Sequence, residues 1–322
     1  MTTKTLNNNL TAAKRNKNDE FYTQLVDIEN EMKHYRDHFK GKTVLLNCDD
    51  PRESKFFHYF SFNFEKLGLK KLISTCYKDP STGESSVYLE YTGDKNGNRV
   101  PDAEEIGIHP LKGNGDFRSE DSIALLKEAD IVVTNPPFSL FREFVAQLVE
   151  HDKKFIVVGS MNAITYKEVF KHIKFNDLWL GVNNGGNKWF AVPDDYDINT
   201  KSHIKIEDGV KYIKLRNVAW FTNLDIVKRH EDLILYKKYN SDDYPTYDNY
   251  DAINVDKLTD IPMDYAGAMG VPITFLNKYN PDQFEIVKFR KGDDERDLVY
   301  TANGNTKTPY FRILIRNKQL GN

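Results

Sequence analysis

Along residues 43–173, hydrophobic and polar positions repeat in one order: a short apolar run, a polar turn, then a helical stripe. Thr43-Val44-Leu45-Leu46 is an apolar run that ends in Asn47-Cys48-Asp49-Asp50-Pro51. From Ser54 to Leu67, the residues Phe56, Phe57, Phe60, Phe64 and Leu67 fall at helical spacing, and Gly68 supplies a stop. A second strand is predicted over residues 71–76, followed by a polar stretch, 78–105, read as a hairpin-like insertion around residues 87–91. After the turn Gly113-Asn114-Gly115-Asp116-Phe117, Ser119 is positioned to cap a helix running to Ala129 with Ile123, Leu125 and Leu126 on its apolar face. Ile131-Val132-Val133-Thr134 then reads as a strand, residues 139–150 as a helix, 155–159 as a strand and 166–173 as a helix.

Strands alternating with helices at this spacing predict an α/β fold of Rossmann-like type, a parallel sheet covered on both faces. In such sheets ligands lie at the carboxyl ends of the strands, near the point where strand order reverses. Every polar cluster named above falls at such an end. Beyond Leu180 the pattern changes. Residues 183–216 hold Asn, Gly and Lys clusters, Trp220 to Leu224 resembles a last strand, and from about Val227 onward Tyr, Asn, Asp and Pro dominate. That last stretch is too aromatic for disorder and predicts an irregular packed lobe without a large core of its own.

With 322 residues the chain can bury a sizeable core without staples. It carries no apolar stretch of membrane-spanning length, and its first residues do not form a signal peptide, so a soluble, cytoplasmic protein is expected. Cys48 and Cys76 are the two cysteines, read as reduced thiols, and neither they nor the eight scattered His have metal-ligand spacing, so no metal site is expected. The net charge of −3 does not advertise nucleic-acid binding, but its distribution is uneven. Lys4, Lys14, Arg15 and Lys17 stand together without an acid in residues 1–18, and Lys307, Arg312, Arg316 and Lys318 do so from Gly304 onward. Two basic ends can flank a duplex and are equally compatible with solvated termini.

Asn135-Pro136-Pro137-Phe138 follows directly on the strand at Ile131. The set suits methylation of an exocyclic amine on a flat base, a weak nucleophile because its lone pair is delocalised into the ring. The Asn135 side-chain oxygen and the Pro136 carbonyl can accept its two N–H bonds, and Phe138 can stack on the base. A plain turn with Phe138 in the core is the alternative. A methyl donor with an adenosine and an amino-acid tail needs contacts after each of the first three strands. Asp116 and Phe117 offer a carboxylate and a ring for the adenine, and Asn47 through Pro51 offers Asp49 and Asp50 but lacks the usual glycines. Asp79 or Tyr77 can serve the second strand.

A further cluster, Asp19-Glu20-Phe21-Tyr22-Thr23, completes a combination that resembles the EcoRI type of adenine-specific DNA methyltransferase. The shared elements are this cluster, the Asn-Cys-Asp-Asp-Pro turn, Gly-Asp-Phe-Arg-Ser, and Thr-Asn-Pro-Pro-Phe-Ser-Leu-Phe-Arg-Glu. The likeness continues in the stretches beginning at Asp248, Gly270 and Pro309. What the resemblance implies is a Rossmann-like, S-adenosylmethionine-dependent methyltransferase sheet with an irregular C-terminal DNA-recognition lobe. Its acceptor is N6 of adenine in double-stranded DNA. A cognate restriction endonuclease acting on the same site without a stable complex, and a monomeric enzyme, belong to the same expectation. Phe21, Tyr22, Thr23 and Asn47, Cys48, Asp49, Asp50 and Pro51 take the donor-binding role, with Tyr77, Asp116 and Phe117. Asn135, Pro136, Pro137 and Phe138 take the catalytic one.

The expected organisation is a basic arm at 1–18, a catalytic domain at 19–226 and a target-recognition lobe at 227–322. The likeness is thinnest over residues 183–216, the expected recognition insertion, which bears on whether the target is GAATTC, the hexamer read by the namesake enzyme. Phosphate contacts are expected from Lys14, Arg15, Lys17, Lys288, Arg290, Lys291, Arg312 and Arg316. Two rival classes remain at this point: a methyltransferase acting on RNA adenine or on protein glutamine, and a non-catalytic DNA-binding module.

Overall fold

The computed structural model describes residues 21–48, 50–78, 85–186, 188–193 and 203–320. Contacts divide the chain into two compact units, Met1–Val169 with Leu180–Leu224, and Phe170–Trp179 with Asp225–Asn322. In chain order the first part of the fold runs β1 (Tyr22–Thr23), α1 (Leu25–Met32), β2 (Thr43–Cys48), α2 (Lys55–Phe62), α3 (Phe64–Leu67), β3 (Lys71–Cys76), β4 (Val87–Tyr91) and β5 (Gly107–Pro110). There follow α4 (Glu120–Glu128), β6 (Ile131–Thr134), α5 (Phe141–Glu150), β7 (Lys154–Ser160), α6 (Lys167–Lys174), β8 (Trp179–Leu180), β9 (Lys188–Ala191), β10 (Ile204–Glu207), β11 (Val210–Leu215) and β12 (Val218–Thr222).

Eight of these strands form one mixed sheet in the order β5-β4-β3-β2-β6-β7-β12-β8. Its centre, β3-β2-β6-β7, is parallel, while β4, β5 and β12 join antiparallel. In β2, β6, β7 and β12 consecutive residues are buried, as in Val44, Leu45 and Leu46 or Ile156, Val157 and Val158. Successive strand side chains point to opposite faces, so this burial means that both faces are covered. The order reverses at β2: the chain moves from β2 to β3 on one side and returns to β6 on the other.

Two local expectations change. The stripe from Ser54 to Leu67 is two helices, because Asn63 turns its side-chain amide back onto the Tyr59 carbonyl at 2.8 Å and leaves helical geometry at φ −107°. Ser54 caps the first helix, accepting from the Phe57 amide, and Gly68 ends the second at φ 64°. The segment read as an insertion instead extends the large sheet, with β4 pairing to β3 and β5 to β4.

A smaller antiparallel sheet, in the order β1-β9-β11-β10, belongs to the same unit. It is tied in by Glu31, a fully buried carboxylate on α1 that accepts from the amides of Val182 and Asn183 at 2.8 Å and from the Tyr35 hydroxyl at 2.7 Å.

The second unit has its own core, which corrects the expectation of a lobe without one. Strands β13 (Ile253–Asn254), β14 (Met269–Pro272), β15 (Phe284–Phe289), β16 (Tyr300–Ala302), β17 (Asn305–Lys307) and β18 (Arg312–Asn317) include a four-stranded sheet, β13-β14-β18-β15. Ile313, Leu314 and Ile315 are fully buried, and Leu314 packs among Tyr247, Ala252, Ala268, Leu298 and Tyr300. The strands are short and separated by long turns, so period-two patterning is too brief to stand out. Tyrosine fills volume that aliphatic side chains fill elsewhere: Tyr247 is buried and packs where a Cβ on Gly270 would lie 2.2 Å from its hydroxyl.

In β7, Gly159 makes room for Phe141, the first residue of α5; a Cβ there would sit 2.4 Å from the ring. Gly159→Ala is expected to lower stability by about 1–3 kcal/mol, as overpacked cores do. Urea unfolding of the purified protein measures this, and an unchanged midpoint would show that the ring has room to move.

Candidate active site at the carboxyl edge of the sheet

Three parallel strands end together at one edge. Cys48 is the register partner of Cys76, and the two form no disulfide. The β2–β6 ladder covers Val44 with Ile131 and Leu45 with Val132, while β2 continues to Cys48 and β6 to Thr134. Past the ladder the two strand ends stand side by side at the point where strand order reverses. Here the chain places Asn47 and Asn135, 4% and 6% exposed. The side-chain oxygen of each is buried without a hydrogen-bond partner. A buried acceptor left unmatched costs about 1–3 kcal/mol, so two at one strand edge mark a place built for something else.

Asn135 is oriented by a distant segment. Its Nδ2 donates to the carbonyl of Phe21, which fixes the amide so that Oδ1 is the atom left over. Pro136 and Pro137 contribute no N–H groups, so the strand stops, and a single turn over Phe138–Leu140 leads into α5. The Phe138 ring lies 5.4 Å from that of Phe21, which in turn meets Phe190 of β9 edge-on at 6.2 Å. Thr23, in β1, is 2% exposed with its hydroxyl oxygen also unmatched. The Phe21–Thr23 and Asn135–Phe138 clusters, expected in donor-binding and catalytic roles, therefore meet directly; Asp19 and Glu20 lie outside the described residues.

The acidic turn residues are differently placed. Asp50 is held by Lys78 at 2.8 Å and Arg52 at 2.7 Å. Burial works against its charge, but these hydrogen bonds outweigh it and hold the carboxyl well below the usual carboxylate range. Pro51 beside it is buried, Cys48 is half-buried, and Asp49 lies outside the described residues. Tyr77 is 49% exposed at the end of β3. Asp116 is engaged by Arg118, whose hydrogen bonds hold its carboxyl low, and Arg118 also reaches Glu143 at 3.0 Å. Phe117, expected to present a face to an adenine, is 6% exposed and packed edge-on against Phe144 at 5.1 Å. The turn that carries it lies close to β3: Gly115, at φ 76°, leaves no room for a Cβ, which would sit 2.0 Å from the Cys76 carbonyl oxygen.

Of the expected phosphate contacts, Lys14, Arg15 and Lys17 lie outside the described residues. The other five are engaged within the second unit. Arg290 and Lys291 share Asp297 at 2.8 and 2.9 Å, and Lys288 reaches the Gly292 carbonyl at 2.9 Å. Arg312 bonds Asn254 at 3.1 Å and the Tyr310 carbonyl at 2.9 Å, and Arg316 faces Glu285 at 3.4 Å.

A different basic surface was missed as individual residues. In the small sheet Tyr22 pairs with Ala191, Ala191 with Tyr212 and Tyr212 with Lys205, while Trp189 pairs with Lys214. Paired and alternate residues share a face, so Tyr22, Tyr212, Trp189, Lys205 and Lys214 lie on one side. Buried Phe190 and Ile213 lie on the other. Lys205 sits over both Trp189 and Tyr212, at 5.2 and 4.9 Å, and Lys214 over Trp189 at 5.7 Å; Lys205 also pairs with Glu207. Tyr212 and Lys214, two apart in β11, were the available signal.

Comparison with known proteins shows the family of the chain. The family described as adenine-specific methyltransferase EcoRI matches residues 9–318. The chain belongs to that family. It is 55% identical over 319 residues to Type II methyltransferase M.EcoRI of Escherichia coli, covering 96% of each chain. It is 42% identical to Type II methyltransferase M.MpnI of Mycoplasma pneumoniae, over 95% of this chain and 97% of that one. A solved structure, a putative RNA methyltransferase from Pyrococcus horikoshii, is similar at a TM-score of 0.29 and 16% identity, covering 59% of this chain and 79% of its own.

For this adenine-specific methyltransferase, the ion pairs at Asp50 set the shape of the turn after β2. Its carboxyl is depressed in the folded state, so the stabilisation is present above its unfolded pKa, about 4, and is lost as pH falls below it. Asp50→Asn is expected to lower stability by about 1 kcal/mol near neutral pH. The difference from the unmodified protein should shrink at about pH 3.5. Urea unfolding at both pH values checks it, and a pH-independent difference would assign the loss to packing.

Proposed function

We propose that this edge transfers a methyl group from S-adenosylmethionine to N6 of an adenine turned out of double-stranded DNA, as the modification half of a restriction–modification system. The observation that carries this is the Asn135 amide: held through Nδ2 by the Phe21 carbonyl, it presents Oδ1 as a buried acceptor without a donor. An adenine amine supplies that donor. Accepting one N–H at Asn135 and the other at the Pro136 carbonyl draws the nitrogen lone pair out of the ring and toward reaction. Phe138, half-buried beside Phe21, offers a ring on which the base stacks.

The sulfonium donor supplies an already activated methyl group. The chain therefore needs no nucleophilic side chain; its residues orient the amine, exclude water and let the N6 proton leave afterwards. The buried Asn47 oxygen and the Thr23 hydroxyl, both unmatched, fit the polar tail and hydroxyls of such a donor. Phe21, Tyr22, Cys48, Pro51 and exposed Tyr77 surround that role, with Asp50 and Asp116 shaping the turns through Arg52, Lys78 and Arg118.

Turning a base out of a duplex costs a few kcal/mol, offset by contacts to the base and to the distorted backbone. The face of Trp189, Tyr212, Lys205 and Lys214 fits that backbone, combining stacking surfaces with cations. Family membership supports adenine over glutamine, and the Type II methyltransferases among the relatives support DNA over RNA. GAATTC is the first target to test.

Labelled donor and plasmid, followed by mapping of modified adenines, test the reaction; modification of RNA alone would overturn the assignment. Asn135→Ala should reduce kcat by about 10²-fold or more while leaving donor affinity within about twofold. Equal losses in both would make Asn135 structural. Removing residues 1–17 should weaken duplex binding and reduce its salt dependence. An unchanged salt slope would take Lys14, Arg15 and Lys17 out of the interface.

A further inference from the structure

Residues 94–105 lie between β4 and β5 and read Asp-Lys-Asn-Gly-Asn-Arg-Val-Pro-Asp-Ala-Glu-Glu. Oxygen-bearing side chains stand at the first, third, fifth, ninth and twelfth places, as Asp94, Asn96, Asn98, Asp102 and Glu105. That is the ligand spacing of a twelve-residue calcium loop, whose seventh place, here Val100, offers its backbone carbonyl. The sixth place of such a loop needs a left-handed backbone, ordinarily given by glycine. Arg99 occupies it at φ 63°. We propose that this loop is a calcium site, with Asp94, Asn96, Asn98, Asp102, Glu105 and the Val100 carbonyl as ligands.

Glu105 supplies the observation that spacing alone does not. It is 6% exposed, and Oε1 accepts from the amides of Lys95 at 2.6 Å and Asn96 at 3.2 Å, which turns the carboxylate into the loop. Its second oxygen, Oε2, is buried with no partner. A carboxylate so placed lacks the compensation that burial demands, and a cation provides it. The surrounding charge agrees. Burial, more than the neighbouring Glu65, Glu105, Asp94 and Asp102, pushes the Tyr91 phenol up to about 12, and these carboxylates lie within electrostatic range of it.

Among the described residues no three His, Cys, Asp or Glu side chains are gathered as a metal centre. In this loop amides hold the middle: Nδ2 of Asn96 and of Asn98 donate to Asp102 Oδ2 at 2.7 and 3.1 Å. The backbone is nevertheless already folded around its side chains. Asp94 accepts from the amides of Gly97 and Arg99, Asn96 from Asn98, and Asn98 from Val100. An amide oxygen has two lone pairs, so each can keep its backbone N–H and take a cation once Nδ2 releases Asp102. Six mixed oxygen donors on one loop suit calcium, whereas magnesium demands stricter octahedral geometry and holds its waters. Three carboxylates among the ligands place the affinity toward the weak end. The site ties β4 to β5 at the edge of the large sheet and does not depend on the methyl-transfer reading.

Calorimetric titration of the EGTA-stripped full-length chain with calcium chloride tests it, with magnesium chloride as a separate arm. One calcium per chain is expected, with Kd of about 10⁻⁵–10⁻³ M. Magnesium binding and calcium binding to Glu105→Gln should each be weaker by about tenfold or more. Because Glu105 is buried, Asn98→Ala at an exposed position provides a second variant with the same expected direction. Terbium emission sensitised through Tyr91, and displaced by calcium, reports the same site. No calcium uptake up to about 10 mM, or uptake unchanged in both variants, would overturn the proposal.

Discussion

A single hydrogen bond, from the Asn135 amide to the Phe21 carbonyl, joins segments 114 residues apart and decides which atom of Asn135 is offered for chemistry. An unpinned carboxamide can present nitrogen or oxygen; this one can present only oxygen. The bond depends on β1 lying against the end of β6, and β1 is held there by its pairing with β9. Glu31, buried on α1 and bonded to Val182 and Asn183, locks the chain leading into β9. The small sheet thus sets the orientation of the Asn135 amide as well as presenting its own outer face.

The central strands supply the rigidity this requires. Parallel β3-β2-β6-β7 is buried on both faces, and Phe141, seated over Gly159, fixes the start of the helix that follows the Asn-Pro-Pro-Phe turn. Rigid strands hold buried oxygens in place even when nothing satisfies them. Unmatched acceptors at Asn47, Thr23 and Asn135 are a stability cost, as are those at Ser74, Gln147 and Asn277.

Charge is arranged on the same logic. Asp50, Asp116 and Asp297 are each paired with a basic neighbour, which fixes the turns that carry them. Lys214 lies over the Trp189 ring, and Lys205, paired with Glu207, lies over Trp189 and Tyr212. A net charge of −3 therefore says little about the partner, because the opposing charges are spent in pairs within each unit.

Local patterning was enough to reveal the alternating strands and helices of the large sheet, the cap at Ser119, the stop at Gly68, and the end of the strand before Asn135. Those features depend on neighbours within a few residues, and short-range periodicity carries them. The break at Asn63, the joining of β4 and β5 to the sheet edge, and the core of the second unit depended on contacts between remote segments. Position after the third strand suggested Phe117 as a ring for the adenine, and its edge-on packing against Phe144 is visible only in the folded chain. Which oxygen of which side chain stays unmatched is likewise invisible in a string of letters, since a donor can arrive from anywhere along the chain. The sequence by itself determined where chemistry can occur; the tertiary structure decided which atoms are left to do it.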